Sequence, residues 1–355
     1  MPFQPTPAQA KAQAHAALRI GLGVGIRDDD GLWVAFAAET LSPDQLSQAL
    51  ALGGAEMIIT HRRAETLKTA AYFGDVARLT IQSDADLRWI RGVADPATDL
   101  STPMKGPFRS LRDGDPRAHR AAILLCKAAH LLPAAVMVRV QSAEGLSILT
   151  ASEVLAQADT AHYNDIVHAA LPMAVSNEGR VHVFRPDDGS AEHYAIEVGK
   201  IDPNKPILTR LHSACFTGDL LGSLKCDCGP QLRGAMAQMG AQGAGILLYL
   251  NQEGRGIGLA NKMRAYFLQD QGFDTVEANH RIGFEDDERD FRIGASILNK
   301  LGVGNIKLLT NNPNKVARME DMGITVSERV PLIVGENPVN SAYLKTKAAK
   351  SGHLL

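Results

Sequence analysis

Hydrophobic and polar positions alternate between helical and strand-like periods along the first half of the chain. Residues 7–18 (PAQAKAQAHAAL) have a helical pattern, and Ser42 with Pro43 marks the start of a second helix. EMIIT and AAVMVRV have the composition of strands, RAHRAAILLCKAAHLL that of a helix, and the segment around residues 98–117 is rich in turn formers. This alternation predicts an α/β domain.

The middle of the chain has a weaker pattern. Residues 151–171 (ASEVLAQADTAHYNDIVHAAL) form a weakly helical patch, and two alternating runs flank PDDGS in residues 177–199, which predicts a hairpin. We place a domain boundary near residue 175. The expected domains are therefore an α/β domain at 1–175 and a second domain at 176–355.

The second half alternates more regularly between strand-like and helical segments with short connections. The overall prediction is the α/β (α+β) class with two domains, the second built on a mixed sheet with flanking helices. The strand-like segments are LTRLHSACF, GILLYL and IKLLT, and the helical ones are PQLRGAMAQMG, IGLANKMRAYFLQDQG, ERDFRIGASILNKLG, NPNKVARMEDMG and a tail around SAYLKTKAAK.

Charge and hydropathy limit the possible partners. The 355 residues include 37 basic and 39 acidic side chains, so no broad positive field is available for a nucleic acid or an anionic membrane. The first twenty residues lack an apolar run of signal-peptide length, and the most apolar later stretch is interrupted by Lys127, His130 and Pro133. We expect a soluble cytoplasmic protein that binds neither nucleic acid nor membrane.

Three of the four cysteines lie within fourteen residues, as C-x10-C-x-C at Cys215, Cys226 and Cys228, whereas Cys126 has the pattern of a helical core residue. Thiolates are zinc ligands, and Cys226 and Cys228 would face one side of an extended segment. A chance cluster of buried cysteines is the alternative. If a metal binds, His212 or Cys126 could close a structural site, but three protein ligands with an open position are the pattern of a catalytic one.

Four further segments carry polar groups that suit an anionic substrate, although each also has a purely structural interpretation. QEGRG could be an ordinary strand-to-helix turn or a phosphate-binding joint, and EDDERDF could be a capped acidic helix start or a source of a catalytic carboxylate at Asp287. TNNPNK could cap a helix or place Thr310 and Lys315 on phosphate oxygens. Tyr266 could be a core aromatic or a hydroxyl in the site.

Taken together, these motifs resemble GTP cyclohydrolase II, the zinc enzyme that opens the guanine ring in riboflavin synthesis. The resemblance covers residues 176–355 and is carried by the motifs HSACFTGDLLGSLKCDCGPQL, QEGRGIGLANKMRAYFLQDQG, GFEDDERDF, LLTNNPNK and VGENPVNSAYLKTKAAKSGHLL. It implies a homodimer that needs Zn²⁺ and Mg²⁺. It also implies conversion of GTP to 2,5-diamino-6-(5-phosphoribosylamino)pyrimidin-4(3H)-one, formate and pyrophosphate.

The resemblance also implies roles for individual residues. Cys215, Cys226 and Cys228 would ligate zinc, which activates the water that attacks C8 of guanine. Asp287 would accept a proton, Arg289 would act as nucleophile toward the α-phosphate, and Tyr266 would serve the ring opening. The implied GTP contacts are Arg210, Leu211, His212, Ser213, Ala214, Gln231, Glu253, Gly254, Arg255, Thr275, Thr310 and Lys315.

Two departures from the family pattern keep other functions open. Ala214 stands where members often have Glu, and Asn251 where they often have Arg. The alternatives are a paralogue in another pathway such as uracil catabolism and a non-catalytic GTP sensor; a structural-zinc nucleic-acid module is disfavoured by the charge balance. The first half faintly resembles dihydroxybutanone phosphate synthase without its acidic metal-binding run, so we expect a domain without synthase activity.

Overall fold

The computed structural model describes residues 4–156 and 162–341 of the chain. The chain folds into two compact units. Unit 1 contains Met1–Ala158 and Ile257–Glu288, and unit 2 contains Asp159–Gly256 and Arg289–Leu355. The domain boundary predicted near residue 175 stays a prediction.

The described residues form helices and strands that are interspersed along the chain. The helices are α1 Pro7–Arg19, α2 Pro43–Leu52, α3 His61–Thr66, α4 Leu87–Ala94, α5 Arg117–Ala128, α6 Ala151–Leu155, α7 Cys228–Gln242, α8 Leu259–Asp270, α9 Thr275–Ile282, α10 Arg292–Lys300 and α11 Pro313–Asp321. The strands are β1 Val24–Asp28, β2 Gly31–Ala37, β3 Glu56–Thr60, β4 Val76–Thr80, β5 Ala134–Val140, β6 Ile148–Thr150, β7 Tyr163–Ala170, β8 Gly179–Pro186, β9 His193–Gly199, β10 Ile207–Ser213, β11 Ala244–Leu250, β12 Asn305–Leu309 and β13 Thr325–Val330. None of the helices in the described ranges has the length and apolar character needed to cross a membrane.

Unit 1 is a mixed sheet buried on both faces. Its strand order is β4-β3-β5-β2-β1-β6, in which β1 and β6 are parallel and the other neighbours are antiparallel. Successive residues of β3 point to opposite sides, so Met57 packs in one core cluster and Ile58 in the other. Helices α2, α4, α8 and α9 contribute to the first cluster, and α1, α5 and α6 to the second.

Unit 2 is a second mixed sheet, with the order β13-β12-β10-β11-β9-β8-β7. The four strands from β13 to β11 are parallel, and β9, β8 and β7 add antiparallel pairs. Along β11, Ile246 and Leu248 pack in one core cluster with residues of α10 and α11, whereas Leu247 packs in another with residues of α7. The alternating α/β pattern and the mixed sheet predicted for the second half are confirmed.

The sequence patterns located several elements correctly. Helix α2 begins after Ser42, whose side chain accepts from the backbone N–H of Gln45 in a capping box, and Pro43 occupies the first turn. The hairpin around PDDGS is confirmed, since β8 and β9 pair antiparallel on either side of it. Cys126 lies in the core on α5 and is 1% exposed, and burial raises the pKa of its thiol to about 12.

The helical patch predicted at residues 151–171 is wrong over residues 163–170. Helix α6 covers only Ala151–Leu155, and Tyr163–Ala170 form strand β7, which pairs with β8. Weak helix propensity is overridden here because the neighbouring strand offers a ladder of backbone hydrogen bonds. In the second half, α9 and β13 were not predicted, and the predicted tail beyond residue 341 lies outside the described residues.

Candidate functional site

The carboxyl ends of three parallel strands of unit 2 carry most of the predicted site residues. Cys215 follows β10, Glu253 follows β11, and Thr310 follows β12 directly. Adjacent parallel strands end at the same edge of a sheet, and this edge is where open α/β sheets bind ligands. The fold therefore brings three separate sequence motifs of unit 2 to one edge.

The three predicted metal ligands come together. Their sulfur atoms all lie within 4.8 Å of one another, and the Cys215 and Cys226 sulfurs are 3.7 Å apart. Cys226 lies in the loop before α7 and Cys228 is the first residue of α7, so the expectation that both occupy an extended segment is wrong. The thiols come together instead because the chain enters helix α7 at Cys228.

Two glycines permit this convergence. A β-carbon at Gly218 would lie 2.7 Å from the Cys226 sulfur and 3.1 Å from the Cys215 sulfur. A β-carbon at Gly229 would lie 2.2 Å from the carbonyl oxygen of Gly218. The Gly218 N–H also donates to the Cys215 sulfur, at 3.3 Å. The thiol cluster therefore needs glycine at these positions for space.

The chemistry of the cluster suits a soft divalent cation. A hydrogen bond with the Cys215 thiol, together with burial, raises the pKa of Cys226 and of Cys228. Thiolates crowded this closely are stable only beside a positive charge, which a metal ion would provide. The three sulfurs fit zinc, which takes thiolate ligands in tetrahedral geometry.

His212 belongs to a hydrogen-bonded group beside the thiols. Its Nε2 lies 3.1 Å from both carboxylate oxygens of Asp219, which also accepts from the Cys215 N–H at 3.0 Å and from the Tyr249 hydroxyl at 3.0 Å. Burial lowers the pKa of His212, so the ring is neutral and Nε2 is the donor. Its Nδ1 is buried without a hydrogen-bond partner in the described chain. Asp219 therefore fixes the orientation of the His212 ring, and Nδ1 is able to accept a hydrogen bond.

Arg210 is a second buried polar group with remaining hydrogen-bond capacity. It is 8% exposed, and its guanidinium donates to the carbonyl of Leu309 at 3.1 Å and to the Gln231 side chain, which in turn donates to Asp227. Burial lowers the pKa of Arg210 to about 10, which leaves it charged at neutral pH. Its Nε is buried without a partner among the described residues.

A cluster of cations surrounds the Phe291 ring. The charged groups of Arg289, Lys315 and Arg318 lie 5.0, 5.5 and 4.7 Å from the ring centre. Arg289 also lies 3.4 Å from the Ser213 hydroxyl at the end of β10. Three positive groups around one ring, each within cation–π distance, create a surface suited to a polyphosphate. We call these three residues the cation cluster.

The QEGRG joint has an unusual backbone. Gly254 and Arg255 both have positive φ, of 64° and 63°, and successive left-handed residues turn backbone N–H groups into one concavity. Glu253 accepts from the N–H of Phe216 at 2.6 Å and of Gly254 at 3.0 Å. Asn251 is fixed by a hydrogen bond from its side chain to the Glu192 carbonyl. Hydrogen bonds made by Glu253 and Asn251 therefore help to hold the QEGRG joint in this conformation.

Three of the remaining GTP contacts predicted in unit 2 lie in a strand or just after one. Leu211 is buried in β10, and the Ala214 N–H donates to the Leu250 carbonyl at 2.7 Å. Thr310 is 3% exposed, and its hydroxyl accepts from the Asn312 N–H at 3.1 Å. Asn312 caps α11 with Pro313 in its first turn, as predicted.

Three predicted residues belong to unit 1. Tyr266 is half-buried on α8, with the Lys262 ammonium 5.7 Å from its ring centre. Thr275 is the first residue of α9, and its hydroxyl accepts from Gln269 at 3.2 Å. Asp287 is half-buried in the loop between α9 and α10. EDDERDF is therefore a loop and not a helix start, because α10 begins at Arg292.

Three residues of this region, Asp219, Tyr249 and Arg318, were not predicted from the sequence. Asp219 is part of the cysteine motif, but its contacts with His212 and Tyr249 depend on the folded chain. Arg318 could have been found, because it is three residues after Lys315 on α11 and lies on the same helical face.

Comparisons with known proteins agree with these motifs. The GTP cyclohydrolase II family matches residues 164–331. "GTP cyclohydrolase-2" of Azospirillum brasilense is 41% identical over 347 residues, covering 92% of this chain and 88% of that protein. "GTP cyclohydrolase-2" of Neisseria meningitidis serogroup A is 59% identical over 167 residues, covering 47% of this chain and 85% of that protein.

The similarity to the Azospirillum protein extends through most of the N-terminal half as well. A solved two-domain 3,4-dihydroxy-2-butanone 4-phosphate synthase from A. baumannii covers 91% of this chain and 99% of its own, with 16% identity and a TM-score of 0.32, too low to support an argument. Identity of 41% over 88% of the Azospirillum protein is sufficient to assign the family. The chain belongs to the GTP cyclohydrolase II family of enzymes.

Proposed function

We propose that this protein hydrolyses GTP to 2,5-diamino-6-(5-phosphoribosylamino)pyrimidin-4(3H)-one, formate and pyrophosphate, as the first step of riboflavin biosynthesis. The observation that carries the proposal is the three-thiol cluster at the carboxyl end of β10, in a chain of this family. The names of the Azospirillum and Neisseria relatives support GTP as the substrate.

Cys215, Cys226 and Cys228 would hold one zinc ion per subunit. Bound there with an open position, zinc supplies a Lewis acid and lowers the pKa of a coordinated water. Mg²⁺ is the second proposed cofactor, because it pairs with the phosphates of nucleotide substrates. The crowding that raises the pKa of Cys226 and Cys228 supports a cation at this place.

The protein's own residues would bind and orient the nucleotide. The cation cluster of Arg289, Lys315 and Arg318 suits the triphosphate, with Thr310 nearby in sequence. The Glu253 carboxylate can accept from two N–H donors, as on the guanine edge, and it already accepts from two backbone N–H groups. Buried Arg210 Nε and His212 Nδ1 retain hydrogen-bond capacity for a substrate.

Individual catalytic roles follow the family resemblance. Asp287 is proposed as proton acceptor, Arg289 as nucleophile toward the α-phosphate, and Tyr266 as a participant in ring opening. The further proposed GTP contacts are Leu211, Ser213, Ala214, Gln231, Gly254, Arg255 and Thr275. We also propose a cytoplasmic homodimer, with residues 176–355 as the catalytic domain and residues 1–175 as a domain without synthase activity.

Product identification tests the proposal. Zinc-replete full-length protein incubated with GTP and Mg²⁺ should release formate, pyrophosphate and the diaminopyrimidine, which mass spectrometry distinguishes from other GTP products. Cys226→Ser should lose the reaction, because one thiolate ligand is removed. Cys126→Ala is the matched control, since Cys126 lies in the core of unit 1 and should leave turnover in place.

Two outcomes would contradict the proposal. Binding of GTP without turnover by zinc-replete protein would instead favour a nucleotide sensor. A different pyrimidine product would place the chain with a paralogue of another pathway.

A further inference from the structure

A second group of metal-binding side chains lies on the two outermost strands of the unit 2 sheet. His168 on β7 is directly opposite His182 on β8, and their ring centres are 4.9 Å apart. Asp165 on β7 completes the group. None of these residues belongs to the thiol cluster or to the proposed GTP contacts.

A bulge in β7 is what brings Asp165 to the histidines. Residues three apart in a regular strand point to opposite faces of a sheet, so Asp165 and His168 would be separated. The pairing with β8 shifts between Asp165 and Val167, which inserts one extra residue into β7. A bulge of this kind changes the face toward which the following side chains point. Asp165 and His168 therefore share a face with His182.

The donor atoms have the spacing that a metal ion needs. Asp165 Oδ2 lies 3.2 Å from His182 Nδ1 and 3.7 Å from His168 Nδ1, and all three ligand atoms lie within 4.8 Å of one another. In a tetrahedral zinc site with bonds of about 2.0–2.1 Å, neighbouring donors are about 3.3 Å apart. Two imidazoles and a carboxylate are also a donor set that zinc, cobalt and nickel accept.

A fourth residue gives His182 the surroundings of a metal ligand. His182 is 5% exposed, and its Nε2 lies 3.4 Å from Glu197 Oε1 on β9. Metal-bound histidines usually give their second ring nitrogen to a carboxylate, which fixes the tautomer and orients the ring. Among the described residues His182 Nε2 has no hydrogen-bond partner, so its approach to Glu197 is an ion-pair contact, and Nδ1 lies toward Asp165 and His168. These last two side chains are 35% and 51% exposed, so an ion can enter from solvent.

We propose that Asp165, His168 and His182 form a second divalent metal site, for Zn²⁺ or a similar transition metal, with Glu197 as the residue that orients His182. The ion would join the edge strand β7 to β8. The arrangement provides three protein ligands and leaves one position for water. This inference is independent of the proposed function, because it involves no residue of the thiol cluster.

Metal stoichiometry of the full-length protein tests the site. Equilibrium dialysis against Zn²⁺ followed by elemental analysis should find two ions per chain in the wild type and one in His182→Asn and in His168→Gln. His162→Gln changes an exposed histidine just before β7 and should retain two. Glu197→Gln should lower the affinity of the second site about 10–100-fold, the usual effect of losing a carboxylate behind a metal-bound histidine.

Two further measurements keep the test decisive. The second equivalent of Co²⁺ should give ligand-field bands without thiolate charge-transfer bands, because its ligands are nitrogen and oxygen. GTP turnover by His168→Gln should equal that of the wild type at saturating Zn²⁺, since His168 is exposed and outside the proposed active site. One ion per wild-type chain, or two ions that persist in both His168→Gln and His182→Asn, would overturn the proposal.

Discussion

Clusters of polar groups are composed differently in the two units. In unit 1, opposite charges pair: Arg63 and Lys105 both contact Asp99, and Arg78 makes two hydrogen bonds of 2.8 Å with Glu56. In unit 2, similar groups lie together, with three thiols in one cluster and three cations around Phe291.

This difference distinguishes polar groups that stabilise the fold from polar groups that can bind a ligand. A buried ion pair satisfies itself and contributes to a specific packed core. A metal ion can join several thiolates, and a phosphate several cations, so clusters of like groups suit a ligand from outside the chain. We therefore expect changes in unit 1 to alter stability, and changes in the clusters of unit 2 to alter binding.

The largest effect should come from Asp99→Ala in unit 1. Burial alone would raise the pKa of Asp99, but its bonds with Arg63 and Lys105 lower it overall, so the carboxylate is charged. The change leaves Arg63, which is 1% exposed, without its carboxylate and should cost about 3–5 kcal/mol of unfolding free energy. Both tryptophans, Trp33 and Trp89, lie in unit 1, so the tryptophan-fluorescence midpoint in urea reports this loss.

The matched control for Asp99→Ala is Asp75→Asn. Asp75 pairs with Arg120 at the surface of unit 1, with 54% exposure, and should cost less than about 1 kcal/mol. Equal midpoint shifts for the two variants would contradict the distinction between buried pairs and surface pairs.

Acid should destabilise unit 2 before unit 1. Burial lowers the pKa of His193 from 6.5 to about 4, so the folded state keeps this ring neutral while the unfolded chain takes up a proton. Stability from this group is complete above pH 6.5 and decreases as the pH falls toward 4, by up to about 3 kcal/mol. Carboxylates such as Asp99, with a lowered pKa, lose their contribution only below pH about 4.

Hydrogen exchange measured by mass spectrometry between pH 7 and 4.5 distinguishes the two units. Corrected for intrinsic rates, protection in β9 should decrease over this range more steeply than that in β3. His193→Gln is the control, because it removes the titrating group and should flatten the dependence in β9. A parallel decrease in both strands of the wild type would disagree with this assignment.

Local patterns predicted the elements whose signals are contained within a few residues. The Ser42 cap, the hairpin around PDDGS and the cysteine spacing depend on neighbouring residues, and the structure has them where the sequence indicated. Strand β7 could not be predicted, because only its pairing with β8 distinguishes it from a weak helix. The approach of Asp219 to His212 and Tyr249 likewise depends on long-range packing.

The assignment of residues 257–288 to unit 1 also had no local signal. Helices α8 and α9 belong by sequence to the second half, yet Ala265 and Ile282 pack in a core cluster with residues of β3. Hydrophobic periodicity shows which face of a helix is buried but not which sheet covers it.

Metal binding should respond strongly to Gly218→Ala in unit 2. The added methyl group would press on two sulfurs of the thiol cluster, at 2.7 and 3.1 Å, and displace the ligands themselves. We expect zinc affinity to fall about 100-fold, equivalent to about 2.7 kcal/mol, with little change in the fluorescence midpoint of unit 1. Competition with a chromophoric chelator measures the affinity.

Gly304→Ala provides the matched control for this substitution. A β-carbon there has no neighbour within 4 Å, so the same change in composition should leave zinc affinity unaltered. Loss of zinc from both glycine variants would show that general destabilisation, and not crowding of the thiols, is responsible.

The smallest effect should come from Arg318→Gln at the exposed side of the cation cluster. Arg318 is 4.7 Å from the Phe291 ring centre and one helical turn from Lys315, so it adds positive charge without occupying the centre of the cluster. We expect KM for GTP to rise about 3–10-fold with kcat nearly constant, since the charge acts on ground state and transition state alike. The increase should shrink in high salt, because exposed charges are screened.

Arg318→Lys should restore most of the affinity, and Arg185→Gln, at an exposed ion pair with Glu192, should change nothing. A fall in kcat for Arg318→Gln at unchanged KM would mean that this residue serves the chemical step, and the cation cluster would then be more than a binding surface.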